Sequence, residues 1–112
     1  MKTTNSSNPI LPPLKRILVL GNGGRENALA WAMHKCKSIE VVWVAPGNGG
    51  TENHHGCKRL AIKENDLQTI IEKCLLLKID LVVIGPEGLL AVGIADGLRA
   101  EGLTVFGPGA NG

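Results

Sequence analysis

Apolar residues along the chain fall into two alternating rhythms. Short runs at Ile17–Leu20, Val41–Ala45, Leu81–Ile84 and Thr104–Phe106 fit buried strands. Between them, apolar positions recur at helical spacing. The stretch from about Arg25 to Lys35 predicts a first helix, with Ala28, Leu29, Ala32 and Cys36 on one apolar face. Asn65 and Asp66 offer a cap to a second helix, striped by Leu67, Ile70, Ile71, Cys74 and Leu75. A third helix carries Ala91, Ile94, Ala95 and Leu98 on one face and ends near Gly102, a C-cap residue. Gly93 and Gly97 lie inside it, each costing about 1 kcal/mol of propensity relative to Ala, and close packing is the expected reason. A short extended piece is expected around Arg59 to Ile62.

Strands alternating with helices imply right-handed crossovers, hence an α/β fold with an open parallel sheet and helices on both faces. Such sheets bind ligands outside the carboxyl ends of their strands. Four loops rich in glycine or proline fall on that edge: Gly21 to Glu26, Ala45 to Thr51, Gly85 to Glu87 and Gly107 to Gly109. Turning the chain is reason enough for Pro46 and Pro108. It accounts less well for Gly21, Gly23 and Gly24 ahead of a helix. A strand passing through glycines into a helix start brings unpartnered N–H groups and the positive end of a helix dipole together, an arrangement that suits phosphate.

Composition narrows the partners. The chain has 112 residues, 44% hydrophobic and 20% charged, which fits one folded domain rather than a disordered segment. A net charge of +2 is too small to imply nucleic acid binding, and three aromatic residues (Trp31, Trp43 and Phe106) make no stacking platform. No apolar run reaches the roughly 20 residues of a membrane helix. Three cysteines, Cys36, Cys57 and Cys74, suit a reducing compartment, so a cytoplasmic location is expected. Residues 1–14 read as a flexible lead-in, rich in Ser, Thr and Asn, and residues 15–112 as the domain. His54, His55 and Cys57 lack a spaced partner pair for zinc and read as a polar loop.

The identity of the phosphate follows from what is missing. A dinucleotide site calls for a third glycine where Glu26 stands and a carboxylate at the end of the second strand, where Ala45 and Pro46 stand. Glu40 has a suitable separation but precedes that strand. A P-loop would need a Lys-Ser or Lys-Thr pair that Gly24-Arg25-Glu26 does not supply. A small phosphorylated metabolite is left, with a dinucleotide-binding oxidoreductase module as the weaker alternative.

Four segments carry a family resemblance: Gly-Asn-Gly-Gly-Arg-Glu-Asn-Ala-Leu-Ala-Trp (21–31), Ala-Pro-Gly-Asn-Gly-Gly-Thr (45–51), Asp-Leu-Val-Val-Ile-Gly-Pro-Glu (80–87) and Val-Phe-Gly-Pro (105–108). In order and spacing they resemble the N-terminal part of phosphoribosylamine–glycine ligases (glycinamide ribonucleotide synthetases). The resemblance implies a Rossmann-like, pre-ATP-grasp domain of an ATP-dependent ligase in purine biosynthesis, acting on phosphoribosylamine and glycine. It also implies that ATP and Mg²⁺ are held by a downstream ATP-grasp region in cis, with no cofactor and no catalytic residue in this chain. The substrate-binding candidates are Gly21, Asn22, Gly23, Gly24 and Arg25 for phosphate. Asn48, Gly49, Gly50 and Thr51 would close over the sugar or face a neighbouring domain, and Glu87, with Pro86 beside it, would meet the ribose hydroxyls, since a carboxylate only accepts. Glu26 reads as a first-turn helix acid.

Two departures from the family pattern stand out. Asn27 occupies a position where the family usually has His, and Leu89, after Gly88, stands where the family usually has a second Pro, a loss expected to loosen the turn into the third helix. The expectation for these 112 residues, without ATP-grasp and C-terminal domains, is that they do not catalyse ligation alone. A non-catalytic domain is therefore the alternative reading.

Overall fold

A computed structural model describes residues 14–63, 65–85 and 89–107. Pro86, Glu87 and Gly88, and the residues after Gly107, lie outside them. The elements in chain order are β1 (Arg16–Gly21), α1 (Gly24–His34), β2 (Val41–Pro46), a 3-10 turn (Thr51–Asn53), β3 (Cys57–Arg59), α2 (Leu67–Leu77), β4 (Leu81–Ile84), α3 (Leu89–Ala100) and β5 (Val105–Phe106). The strands pair in parallel in the order β3-β2-β1-β4-β5. This is a Rossmann-like arrangement, and the four runs with strand character all fall in it. The expected extended piece appears two residues earlier, as edge strand β3, because Val42 to Val44 pairs with Cys57 to Arg59.

Two apolar layers sandwich the sheet. Ile17, Val19, Val42, Val44, Cys57 and Val83 pack beneath Ala30 of α1. Leu18, Leu20, Ala45, Val82 and Ile84 meet Ile70 and Cys74 of α2 and Ile94, Ala95 and Leu98 of α3 on the other face. From β1 the chain first builds outward through β2 and β3, then returns to add β4 and β5 on the opposite side. The carboxyl ends of β1 and β4 therefore flank the reversal in strand order, where a crevice opens in this architecture. Asp80 pins the other end of these strands, accepting from the backbone N–H of Lys15 at 2.8 Å and of Arg16 at 2.9 Å.

Helix α1 does not bury the expected face. Ala28, Ala32 and Cys36 are not in the core, and Leu29 is 41% exposed. The buried stripe is instead Asn27 and Ala30, with Trp31 and His34 half-buried. Alanines contribute too little apolar area to orient a helix, and a hydrogen-bonded asparagine can be buried at small net expense. Leu75 is likewise turned out, 62% exposed. The cap on α2 is Asp66, whose Oδ1 accepts from the Thr69 N–H at 3.2 Å. Gly102, at φ +85°, follows the end of α3, and Leu103 N–H closes back on Leu98 O at 3.2 Å.

The two glycines of α3 differ. A Cβ on Gly97 would stand 2.5 Å from Leu67 Cδ2, so close packing of α2 on α3 explains it. Gly93 faces open space, and nothing in the structure explains it. Gly93→Ala is expected to stabilise the chain by about 0.5–1 kcal/mol, the propensity difference in a helix interior. Gly97→Ala should gain less because Leu67 must shift. Urea midpoints measured side by side check the contrast, and equal gains would refute it.

Burial pushes the Cys74 thiol up to about 11 and raises that of Cys57, while Cys36 is exposed. A thiol that ionises less readily when folded than when unfolded gives stability that is full below the unfolded value of 9.0 and is lost as pH rises toward about 11. The urea midpoint should fall across that alkaline range, and Cys74→Ala should flatten the fall.

Candidate ligand-binding edge

At the carboxyl edge, β1 runs into α1 through Gly21, Asn22 and Gly23. Gly21 has φ +151°, a conformation that favours glycine, and its missing Cβ leaves room for the side chain of Glu26. Glu26 turns back so that its Oε1 accepts from the Gly23 N–H at 2.9 Å, completing the helix start from the third position of its first turn. One of the loop amides expected to face an anion is thus already donated within the chain. The N–H groups of Gly24 and Arg25 open α1, where the helix geometry supplies no acceptor, and both residues are exposed. Arg25 is on the surface at the positive end of this helix dipole.

The loop after β2 is bound to this helix start. Gly47 N–H donates to Gly21 O at 3.0 Å, joining the carboxyl ends of the two strands. Asn48 spans the loops: its Nδ2 donates to Asn22 O at 2.7 Å, while its Oδ1 accepts from Asn27 Nδ2 and the Gly50 N–H, both at 2.8 Å. Asn27, 4% exposed, also accepts through Oδ1 from the Thr51 hydroxyl at 2.6 Å. That hydroxyl in turn accepts from the Asn48 N–H at 3.0 Å, and Trp31 Nε1 donates to Thr51 O at 3.1 Å. Thr51 is fully buried, whereas Gly49 is exposed with open space around its α-carbon.

The structure therefore places Gly21, Asn22, Gly23, Gly24 and Arg25 beside Asn48, Gly49, Gly50 and Thr51 on one edge. Pro86 and Glu87 fall outside the described residues. Within the second loop, Asn48 and Thr51 face inward to the hydrogen-bonded network, and Gly49 forms the outer surface. Asn27 and Trp31 were missed by composition and motif spacing. The signal was present, since positions 27, 30, 31 and 34 form a helical stripe, but an asparagine at its head reads as solvent-facing until its partners are known.

Residues 15–112 match the family described as Phosphoribosylglycinamide synthetase, N domain. The chain belongs to this family. It is 43% identical over 93 residues to the phosphoribosylamine–glycine ligase of Salmonella typhimurium (strain LT2), covering 83% of this chain and 22% of that protein. It is 44% identical over 95 residues to that of Escherichia coli (strain K12), covering 85% and 22%. The Clostridium acetobutylicum ligase is 43% identical over 94 residues, covering 84% and 22%. The chain thus spans about a fifth of the length of the curated relatives it matches. A crystal structure of RSP, a Rex-family repressor, superposes with a TM-score of 0.55 at 16% identity, over 84% of this chain and 44% of that one; the likeness is one of fold.

At position 27, Asn offers one donor and one acceptor to Asn48 and Thr51, the same pair that a neutral imidazole would offer. Glu40, the carboxylate considered for a dinucleotide ribose, lies on the opposite edge of the sheet, 3.8 Å from Arg16 and with its backbone N–H on Lys15 O. His54 and His55 approach His34, with ring centroids 5.3 and 6.4 Å away, yet among the described residues no three His, Cys, Asp or Glu side chains gather as a metal site. No helix among the described residues is long and apolar enough to cross a membrane.

Proposed function

We propose that this chain supplies the phosphate and ribose wall of the phosphoribosylamine pocket in an ATP-dependent ligase that joins glycine to 5-phosphoribosylamine in purine biosynthesis. The observation that carries this reading is the joined pair of glycine loops at the carboxyl edge, in a chain of this family. The N–H groups of Gly24 and Arg25, with the dipole of α1 behind them, hold the phosphate. Arg25 adds a charge-assisted hydrogen bond. Gly49 and Gly50 present the adjoining wall over the sugar, held from behind by Asn48 and Thr51, and the carboxylate of Glu87, next to Pro86, accepts from the ribose hydroxyls.

In that scheme this chain binds and orients one substrate and leaves the amine free to react. ATP, when bound, supplies the phosphoryl group that activates the glycine carboxylate. In this reading the open N–H groups at the start of α1 take the sugar phosphate, and Mg²⁺ and the ATP phosphates are held elsewhere. Both belong to an ATP-grasp region of the parent enzyme, and catalysis is assigned to the parent rather than to these residues.

Ribose 5-phosphate carries the phosphate and sugar without the amine and is the suitable probe. In ¹⁵N-labelled chain it is expected to shift the Gly24 and Arg25 amides at millimolar concentration. Arg25→Ala should weaken it about tenfold, as expected for losing a hydrogen bond to a charged group. Absence of any shift in the wild-type chain would overturn the reading. Tighter binding of a nicotinamide dinucleotide to the same amides would favour the oxidoreductase module instead.

A further inference from the structure

The two loops at the carboxyl edge come from different strands, yet they are tied by a continuous set of hydrogen bonds. Asn27 sits at the centre, almost fully buried, with its amide oxygen on Thr51 and its amide nitrogen on Asn48. Asn48 carries the chain of bonds onward to Asn22 O in the first loop and to the Gly50 N–H in its own. Gly47 N–H on Gly21 O closes the circuit. A helix needs no asparagine at its fourth position, and β2 needs none of these side chains to pair with β1. The network's geometric effect is to fix the separation of the two loops.

We propose that Asn27 and Asn48 are positioning residues that lock the two glycine loops into one preformed ligand-binding wall, so that affinity for a sugar phosphate depends on the lock as well as on the groups that touch it. The inference rests on the proposed binding of a phosphoribosyl group at this edge. It adds Asn27 and gives Asn48 a role through a side chain spent within the chain, and it predicts coupling between the loops. Preorganised walls lose less freedom on binding, and a buried polar network holds its geometry only while every member is paired.

Asn27→Asp tests this with almost no change in shape. An ionised carboxylate keeps an acceptor for the Thr51 hydroxyl but turns an oxygen toward Asn48 Oδ1 where a donor stood. Protonated, the same side chain again presents one donor and one acceptor. In the full 112-residue chain near neutral pH, the Gly47 and Thr51 amides should exchange about tenfold faster than in wild type, with Val82 in the sheet unaltered. Ribose 5-phosphate should bind about tenfold more weakly. Both effects should fade as the pH is lowered and the buried carboxyl takes its proton, measured against wild type to remove the titration of the phosphate. Should Asn27→Asp fail to fold, Asn48→Ala removes the bridge from a half-buried position and should give the same two effects without the recovery at low pH.

Faster exchange with unchanged affinity would overturn the positioning role. Unchanged exchange would show that no lock exists. A wild-type chain that gives no shift with ribose 5-phosphate would remove the functional reading and the positioning role with it, while the exchange rates would still report on the lock.

Discussion

Replacing Gly21 by alanine is expected to destabilise the chain by about 2–4 kcal/mol, adding about 1–3 for the backbone conformation to about 1 for a disrupted helix start. At φ +151° a side chain is strained whatever the space, and the space is taken. The new methyl group would overlap Glu26 Cγ and stand 2.7 Å from its Cδ, driving the carboxylate off the Gly23 N–H. Against the roughly 5–15 kcal/mol typical of a domain, that is a large fraction of the total. Urea denaturation measures it, and a double-mutant cycle with Glu26→Ala divides it. In the Glu26→Ala background the overlap is gone, so Gly21→Ala should be milder by about 1 kcal/mol. An undiminished effect there would refute the role given to Glu26.

Thr51→Val is expected to have a comparable effect, a loss of roughly 2–4 kcal/mol, because a buried hydroxyl disappears. The side chain is fully buried and its hydroxyl does two jobs, donating to Asn27 Oδ1 at 2.6 Å and accepting from the Asn48 N–H at 3.0 Å. Valine has almost the same shape but leaves a buried carbonyl and an inward-facing N–H unpaired, each costing about 1–3 kcal/mol. Thr51→Ser keeps the hydroxyl and loses one methyl, about 1 kcal/mol. The comparison of urea midpoints isolates the hydroxyl: if valine were no worse than serine, the network would contribute nothing to stability. The same valine variant should also speed exchange of the Trp31 indole N–H, which rests on Thr51 O.

These two residues show unequal legibility. Gly21 announces itself, because a glycine that ends a buried run, ahead of more glycines and a helix, marks the tight turn at a strand's carboxyl end. Thr51 is marked only as part of a loop over a sugar, and nothing local announces its burial, since a threonine after Gly49 and Gly50 is ordinary loop chemistry. Its side-chain partners, Asn48 and Asn27, lie 3 and 24 positions away along the chain. The same limit explains α1. Its apolar residues are mostly alanines, and reading Ala28, Leu29, Ala32 and Cys36 as the buried face gave the wrong side. The face that is buried carries Asn27, paired with Thr51 and Asn48, and Ala30.

The order of strands and helices, the parallel sheet and the placing of the glycine loops on one edge were all legible from the chain alone. They follow from local periodicity, from the handedness of crossovers and from glycine's special backbone, each a property of a few consecutive residues. Which face of α1 is buried, which loop amides stay open to a ligand and why Gly97 rather than Gly93 is constrained required the folded molecule. Those depend on which side chains the fold brings together, such as Glu26 on Gly23, Asn27 on Thr51 and Leu67 on Gly97, and no local pattern encodes those pairings.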